Sequence, residues 1–332
     1  MSVEQLRERI LTTDGSDFAE LALLVFQHQA THNPTYRRYL ELIDRPAAAV
    51  VSERDLPFLP IQFFKNQNVR TGTWTPVDTF TSSGTTGGTT ARHPVRDVAF
   101  YRQNTARNFT AAYGRPPEDF CWLALLPSYL ERTGSSLILM AEHFIAQSRY
   151  SESGFFLNDY RTLLDRLAAC QRAGIPTVLL GVSFALWELA ERFAPDLSGV
   201  VVMETGGMKG RRREVTRAEL HQILRRAFRV EQIHSEYGAT ELFSQSYSRG
   251  GGVFRPSPTL RVYTREVTDP LRLRHDARTG ALNLIDLANV DTVSFLATDD
   301  LGRVFDDGCF EVLGRMDASD VRGCNLLIGE NR

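Results

Sequence analysis

Cysteine is scarce in this chain. Cys121, Cys170, Cys309 and Cys324 are spread over 332 residues and never fall in a Cys-x-x-Cys spacing. Neither a disulfide framework nor a zinc site is indicated, and any functional thiol acts alone. Long apolar runs are missing too: Leu21 to Phe26 and Cys121 to Leu126 fall far short of the roughly 20 residues that span a bilayer. The N-terminus carries acidic residues early and has no apolar segment, so no secretory leader is read and a cytoplasmic location without a membrane span is expected. The formal net charge of -2 gives no global attraction to nucleic acid or an anionic membrane. Arg211, Arg212 and Arg213 form a local basic run that reads as a solvated loop. Lysine is almost absent. Of 38 basic residues only Lys65 and Lys209 are lysine, which makes each worth inspecting.

What is present is the composition of a globular protein, 42% hydrophobic and 23% charged, large enough for a main domain plus a smaller one. Residues 1–70 read as a helical segment, with apolar residues spaced at Phe18, Leu21, Leu24 and Val25 and again at Tyr36, Tyr39 and Ile43. His28 and His32 lie one helical turn apart but lack the glutamate of a zinc-protease helix, so no metal is expected there. Residues 71–240 alternate short apolar runs with helical patterns, from Phe120 to Leu126 through Thr177 to Val182 to a strand expected at Val230 to His234. That alternation predicts parallel strands with crossover helices, a layered α/β core whose ligands sit beyond the carboxyl ends of the strands. Residues 241–332 lose the helical period. Strands are expected at Thr259 to Val267, Ala281 to Leu287 and Thr292 to Leu296, giving a β-rich subdomain that closes one side of the site.

The most informative segment is Thr79-Phe-Thr-Ser-Ser-Gly-Thr-Thr-Gly-Gly-Thr-Thr90, which puts five hydroxyl side chains and a glycine between Thr81 and Thr86. Glycine lets backbone approach an anion, and clustered amide and hydroxyl donors can wrap phosphate oxygens. No lysine follows, so this is not the Gly-x-x-x-x-Gly-Lys loop.

Thr81-Ser-Ser-Gly-Thr-Thr-Gly87 resembles the signature loop of acyl-CoA ligases and other adenylate-forming enzymes. Three further segments follow in that superfamily's order. Ser235-Glu-Tyr-Gly-Ala-Thr-Glu241 resembles the Tyr-Gly-x-Thr-Glu motif, Ala297-Thr-Asp-Asp300 the Thr-Gly-Asp motif, and Gly314-Arg-Met-Asp317 the Gly-Arg-x-Asp motif. The resemblance implies ATP and Mg2+, with Thr81, Ser82, Ser83, Gly84, Thr85, Thr86 and Gly87 around phosphate. It further implies Tyr237 against adenine with Gly238 also nucleotide-binding, Thr240 on phosphate, Glu241 on magnesium, Asp300 on the ribose hydroxyls, and Arg315 also on ribose. The chemistry agrees: a carboxylate is a hard ligand for magnesium, and an aspartate can accept two hydrogen bonds from a diol.

Within the superfamily the chain is most similar to the acyl-protein synthetase (LuxE-like) family, with phenylacetate-CoA ligases as cousins. Leu56-Pro-Phe-Leu-Pro-Ile-Gln-Phe-Phe-Lys65 resembles that family's segment before the phosphate loop, Thr205-Gly-Gly-Met-Lys209 its glycine-rich turn, and Val321-Arg-Gly-Cys-Asn-Leu326 its C-terminal end. This resemblance implies activation of a fatty acid as acyl-AMP, transfer to Cys324, and delivery to an acyl reductase partner or another acceptor. Cys121 and Cys170 sit in apolar patterns and read as core, while Cys309 is the competing nucleophile. The chain departs from the superfamily by ending fifteen residues after Asp317, so the mobile C-terminal domain with its catalytic lysine is expected to be lacking. Lys209 is the residue expected to neutralise charge on the α-phosphate or the substrate carboxylate. The phosphate loop lacks the usual Pro-Lys ending and has Arg92 and His93 nearby. An acyl- or aryl-CoA ligase and a non-catalytic nucleotide-binding subunit are the alternatives.

Overall fold

The computed structural model describes residues 1–82, 90–126, 134–206, 215–274 and 276–316. The chain opens with helices Val3–Thr12, Phe18–His32 and Pro34–Leu42. Each start has a physical reason. Ser2 forms a capping box with Gln5, and Asn33 caps the third helix by accepting from the Tyr36 amide, with a proline in its first turn. Phe18, Leu21, Ala22, Val25 and Phe26 line the buried face of the second helix. Phe26 packs edge-on to Tyr36 and Phe295, so this helical segment shares its core with the β-rich part. The Tyr36 and Tyr39 hydroxyls donate to the carbonyls of Pro57 and Phe58. They fix the chain just before Leu59–Pro60, which pairs in parallel with Leu296 and Ala297.

A six-stranded sheet forms the α/β part. Its order is Gly154–Phe155, Cys121–Leu125, Thr177–Val182, Val201–Thr205, His234–Tyr237 and Ser246–Ser248, parallel except for the last strand. Cys121–Leu125 and Thr177–Val182 are buried at every residue, as expected of strands covered by helices on both faces. The crossover helices are Ser136–Gln147, Tyr160–Ala173, Ser183–Arg192 and Arg217–Phe228. The strand expected at Val230 to His234 is displaced: it begins at His234 and runs to Tyr237. Arg229 ends the preceding helix in the left-handed conformation, and residues 230–233 carry the chain back to the sheet. The true strand is polar, and its burial is tolerated because its side chains have partners on Val201–Thr205.

The second sheet runs Val253–Phe254, Phe310–Arg315, Phe295–Val304, Gly280–Asp286 and Leu260–Arg265, all antiparallel, with Leu59–Pro60 joined to Phe295–Val304. The strand expected at Thr292 to Leu296 starts later and is twice as long as predicted, so Asp300 lies within a strand rather than a turn. The two sheets are stitched where the Arg255 amide donates to the Tyr247 carbonyl at 3.0 Å. No helix among the described residues is long and apolar enough to cross a membrane.

Candidate functional site

Side chains of both sheets converge where the strand His234–Tyr237 leaves the parallel sheet. Tyr237 is buried, with Phe254 and Phe310 against its ring, and its hydroxyl donates to Asp300 Oδ2 at 2.7 Å. Asp300 pairs in register with Arg315 on the next strand, and Arg315 Nε donates to Asp300 Oδ1 at 3.0 Å. Three residues drawn from three separate motifs are thus joined through one carboxylate. Each of its oxygens is engaged once and keeps a further lone pair for a diol.

Glu241 follows on the turn after Tyr237. Its backbone is held firmly: Asn289 Nδ2 donates to the Glu241 carbonyl at 2.8 Å, and Asp286 Oδ2 accepts the amides of Phe243 and Ser244 at 2.8 and 2.9 Å. Its carboxylate makes no hydrogen bond to another side chain among the described residues. Burial raises its pKa; its own backbone amide and the charges of Arg315 and Lys65 oppose that rise, while Asp300 adds to it. No group of three or more His, Cys, Asp or Glu that could hold a metal occurs among the described residues. A single open carboxylate fits magnesium held mainly by phosphate oxygens and water.

Gly238 is required by proximity. A Cβ there would lie 2.6 Å from Glu236 Oε1. Glu236 itself accepts from the Thr205 hydroxyl at 2.5 Å, and burial pushes its pKa up to about 7, with the Glu204 charge adding to the rise and the Thr205 bond opposing it. Glu204 is buried yet stays below the usual carboxylate range. Desolvation, the largest influence, acts upward, but His221, Arg217 and Ser235 outweigh it together. Arg217 also donates to the Val312 carbonyl, tying the parallel sheet to the strand that carries Arg315.

The hairpin Asp78–Thr81 and Arg92–Val95 flanks the segment expected to bind phosphate. At its base the Thr81 amide donates to the Gly134 carbonyl at 2.8 Å, and Ser82 and Ala91 exchange hydrogen bonds. Ser83, Gly84, Thr85, Thr86 and Gly87 lie outside the described residues, as do Lys209 and Cys324. His93, singled out as a neighbour of the loop, is fully buried and stacked on Phe243. Its Nδ1 meets the Thr240 carbonyl at 3.0 Å, which can only accept, so the proton sits there and Nε2 accepts from Thr292. Burial lowers its pKa to about 3. His93 is therefore a neutral tie between the loop hairpin and the Thr240 turn, and its charge does not serve phosphate.

Cys121 and Cys170 are core residues with their sulfurs 3.6 Å apart, as expected. Cys309 is buried, and desolvation, with the Asp307 hydrogen bond, raises its thiol pKa, which disfavours the thiolate form. Sequence reasoning passed over Glu236, Asp286 and Asn289, and singled out Lys65 without giving it a role. Glu236 stood in plain view between Ser235 and Tyr237, whereas Asp286 and Asn289 act through backbone groups more than 40 residues away and leave no local signal.

The fold is that of the N-terminal domain of adenylate-forming enzymes. Among solved structures, the chain is similar to 2-hydroxyisobutyryl-CoA ligase in complex with 2-HIB-AMP and CoA, at a TM-score of 0.62 and 15% identity over 96% of this chain and 70% of that one. It is also similar to ATP-bound MatB from Rhodopseudomonas palustris, at 0.54 and 14% identity over 73% of this chain and 49% of that one. An ATP-bound MatB chimera gives 0.56 and 15%, with 74% and 49% coverage. The chain thus spans about half the length of these MatB structures. No family model matches the sequence, and no curated protein matches it.

Proposed function

We propose that this chain activates a carboxylic acid with ATP as an acyl-AMP and acts as an acyl-protein synthetase. The observation that carries the reading is the convergence of Tyr237, Asp300 and Arg315 beside Glu241, at the carboxyl end of a parallel strand. An aromatic ring, a carboxylate open to a diol, a guanidinium and a second, open carboxylate are what an adenosine polyphosphate with magnesium would use. Magnesium, when bound by Glu241, would neutralise developing phosphate charge.

In the first step a carboxylate oxygen attacks the α-phosphorus of ATP, the bond to the β-phosphate oxygen breaks, and pyrophosphate leaves. Donors of the Thr81 to Gly87 loop, with Thr240, bind the phosphates, and Lys209 neutralises charge at the α-phosphate or the substrate carboxylate. Replacement of Lys209 by alanine with no change in acyl-AMP formation would remove that role. In the second step the Cys324 thiolate attacks the acyl carbonyl, AMP leaves, and a thioester forms for delivery to an acyl reductase or another acceptor. A fatty acid is the substrate class the resemblance favours.

The test is intact-protein mass after incubation of wild type and Cys324→Ser with ATP, magnesium and a panel of acids. An acyl adduct that hydroxylamine removes and the variant lacks is the expected result. Acyl-AMP without any adduct favours the second reading, an acyl-CoA ligase, which the similarity to 2-hydroxyisobutyryl-CoA ligase supports.

A further inference from the structure

Lys65, the only lysine among the described residues, lies on the one-turn helix Phe63–Asn66 directly after the strand that joins the β-rich sheet. That strand places it closely. Pro60 pairs with Ala297, the Ile61 amide donates to the Ala297 carbonyl at 2.9 Å, and Gln62 Nε2 donates to the Asp299 carboxylate. Asp299 is the neighbour of Asp300, and its carbonyl accepts from the Met316 amide at 2.7 Å, just past Arg315. The chain segment carrying Lys65 is thereby pinned to the edge of the Asp300, Arg315 and Glu241 group, and the charge of Lys65 reaches Glu241.

The charge arrangement asks for a cation at this edge. Asp300 and Glu241 put two carboxylates near each other here, and Arg315 is already bonded to Asp300. Lys65 is exposed, and its ammonium makes no hydrogen bond or ion pair among the described residues. An exposed ammonium, unpaired among the described residues and carried by fixed backbone so that its charge reaches an open carboxylate, is suited to a polyanion, since it lowers the repulsion that the carboxylates exert on incoming phosphates.

We infer that Lys65 binds the β- and γ-phosphates of the nucleotide, on the side of the site where Glu241 lies, away from the adenosine held at Tyr237 and Asp300. This rests on the nucleotide-site reading given above. It divides the positive charge of the site between two elements far apart in sequence: Lys65 acts on the pyrophosphate half of ATP, and the α-phosphate is left to other groups. The lysine acts as a point charge with three donors, so arginine at the same place retains part of its effect.

The test is calorimetric titration of full-length wild type, Lys65→Ala and Lys65→Arg with Mg-ATP and, separately, with AMP. AMP lacks the two phosphates assigned to Lys65. The expected result is a loss of tenfold or more in ATP affinity for Lys65→Ala, an unchanged AMP affinity, and partial recovery of ATP affinity in Lys65→Arg. A Lys65→Ala protein that binds ATP as wild type does overturns the inference, and so does one that loses ATP and AMP equally, because that pattern is a general disturbance of the site. Wild type that binds neither nucleotide overturns the parent reading and this assignment with it.

Discussion

Replacing Glu236 by glutamine isolates one buried carboxyl whose energetics follow from its surroundings. Glu236 sits at the end of His234–Tyr237 with the Thr205 hydroxyl on one oxygen, the Gly238 backbone against the other, and the Glu204 charge on the neighbouring strand. Burial moves its pKa from 4.5 to about 7. In the unfolded chain it ionises near its ordinary value, whereas the folded protein keeps the proton longer. The folded state thus binds more protons between those two values, and stability falls as pH rises through that window. At about 1.4 kcal/mol per pH unit the loss amounts to about 3 kcal/mol by pH 8. Glutamine keeps an oxygen for the Thr205 hydroxyl and removes the ionisation. Guanidinium unfolding of both proteins between pH 4.5 and 8 is the assay. The variant should gain on wild type by about 3 kcal/mol across that range, most of it by pH 7. Glu204, whose pKa is held below its ordinary value, is present in both proteins. A gap between the two proteins that does not change with pH would refute the reasoning.

Two further perturbations address the frame of the site. Tyr237→Phe deletes the donor to Asp300 inside a buried contact and should cost about 1.5–3 kcal/mol, the range for a hydrogen bond to a charged group. It should also weaken nucleotide binding; an unaltered denaturation midpoint would show that the Asp300 bond contributes nothing to the fold. In Gly302→Ala the new Cβ meets the Glu311 carbonyl oxygen at 2.1 Å, next to the bulge that sets the Asp300–Arg315 register. Because that neighbour is backbone, the strands must part. A loss of about 2 kcal/mol or more is expected from thermal or denaturant unfolding, and a midpoint equal to wild type would mean the bulge is more compliant than its geometry implies.

The alternation of apolar runs and helical patterns from Phe120 to Phe228 was enough to read a layered α/β core, because strands covered on both faces must be apolar throughout. The same hydropathy reading missed His234–Tyr237. A strand whose buried side chains are serine, glutamate and tyrosine is stable only through partners on a neighbouring strand, and those partners are about 30 residues away. The motifs containing Tyr237, Glu241, Asp300 and Arg315 were legible because each is a short local string with a chemical rationale. That Asp300 joins Tyr237 to Arg315 was not legible, since the 10-residue strand and its register bring them together. Likewise His93 stands near the expected phosphate loop in sequence, but only its burial shows that desolvation makes it neutral. Local sequence thus determined which chemical groups are present and the class of fold that carries them. Long-range strand pairing and burial decided which of those groups meet, and which keep their charge, because both depend on neighbours that no local window contains.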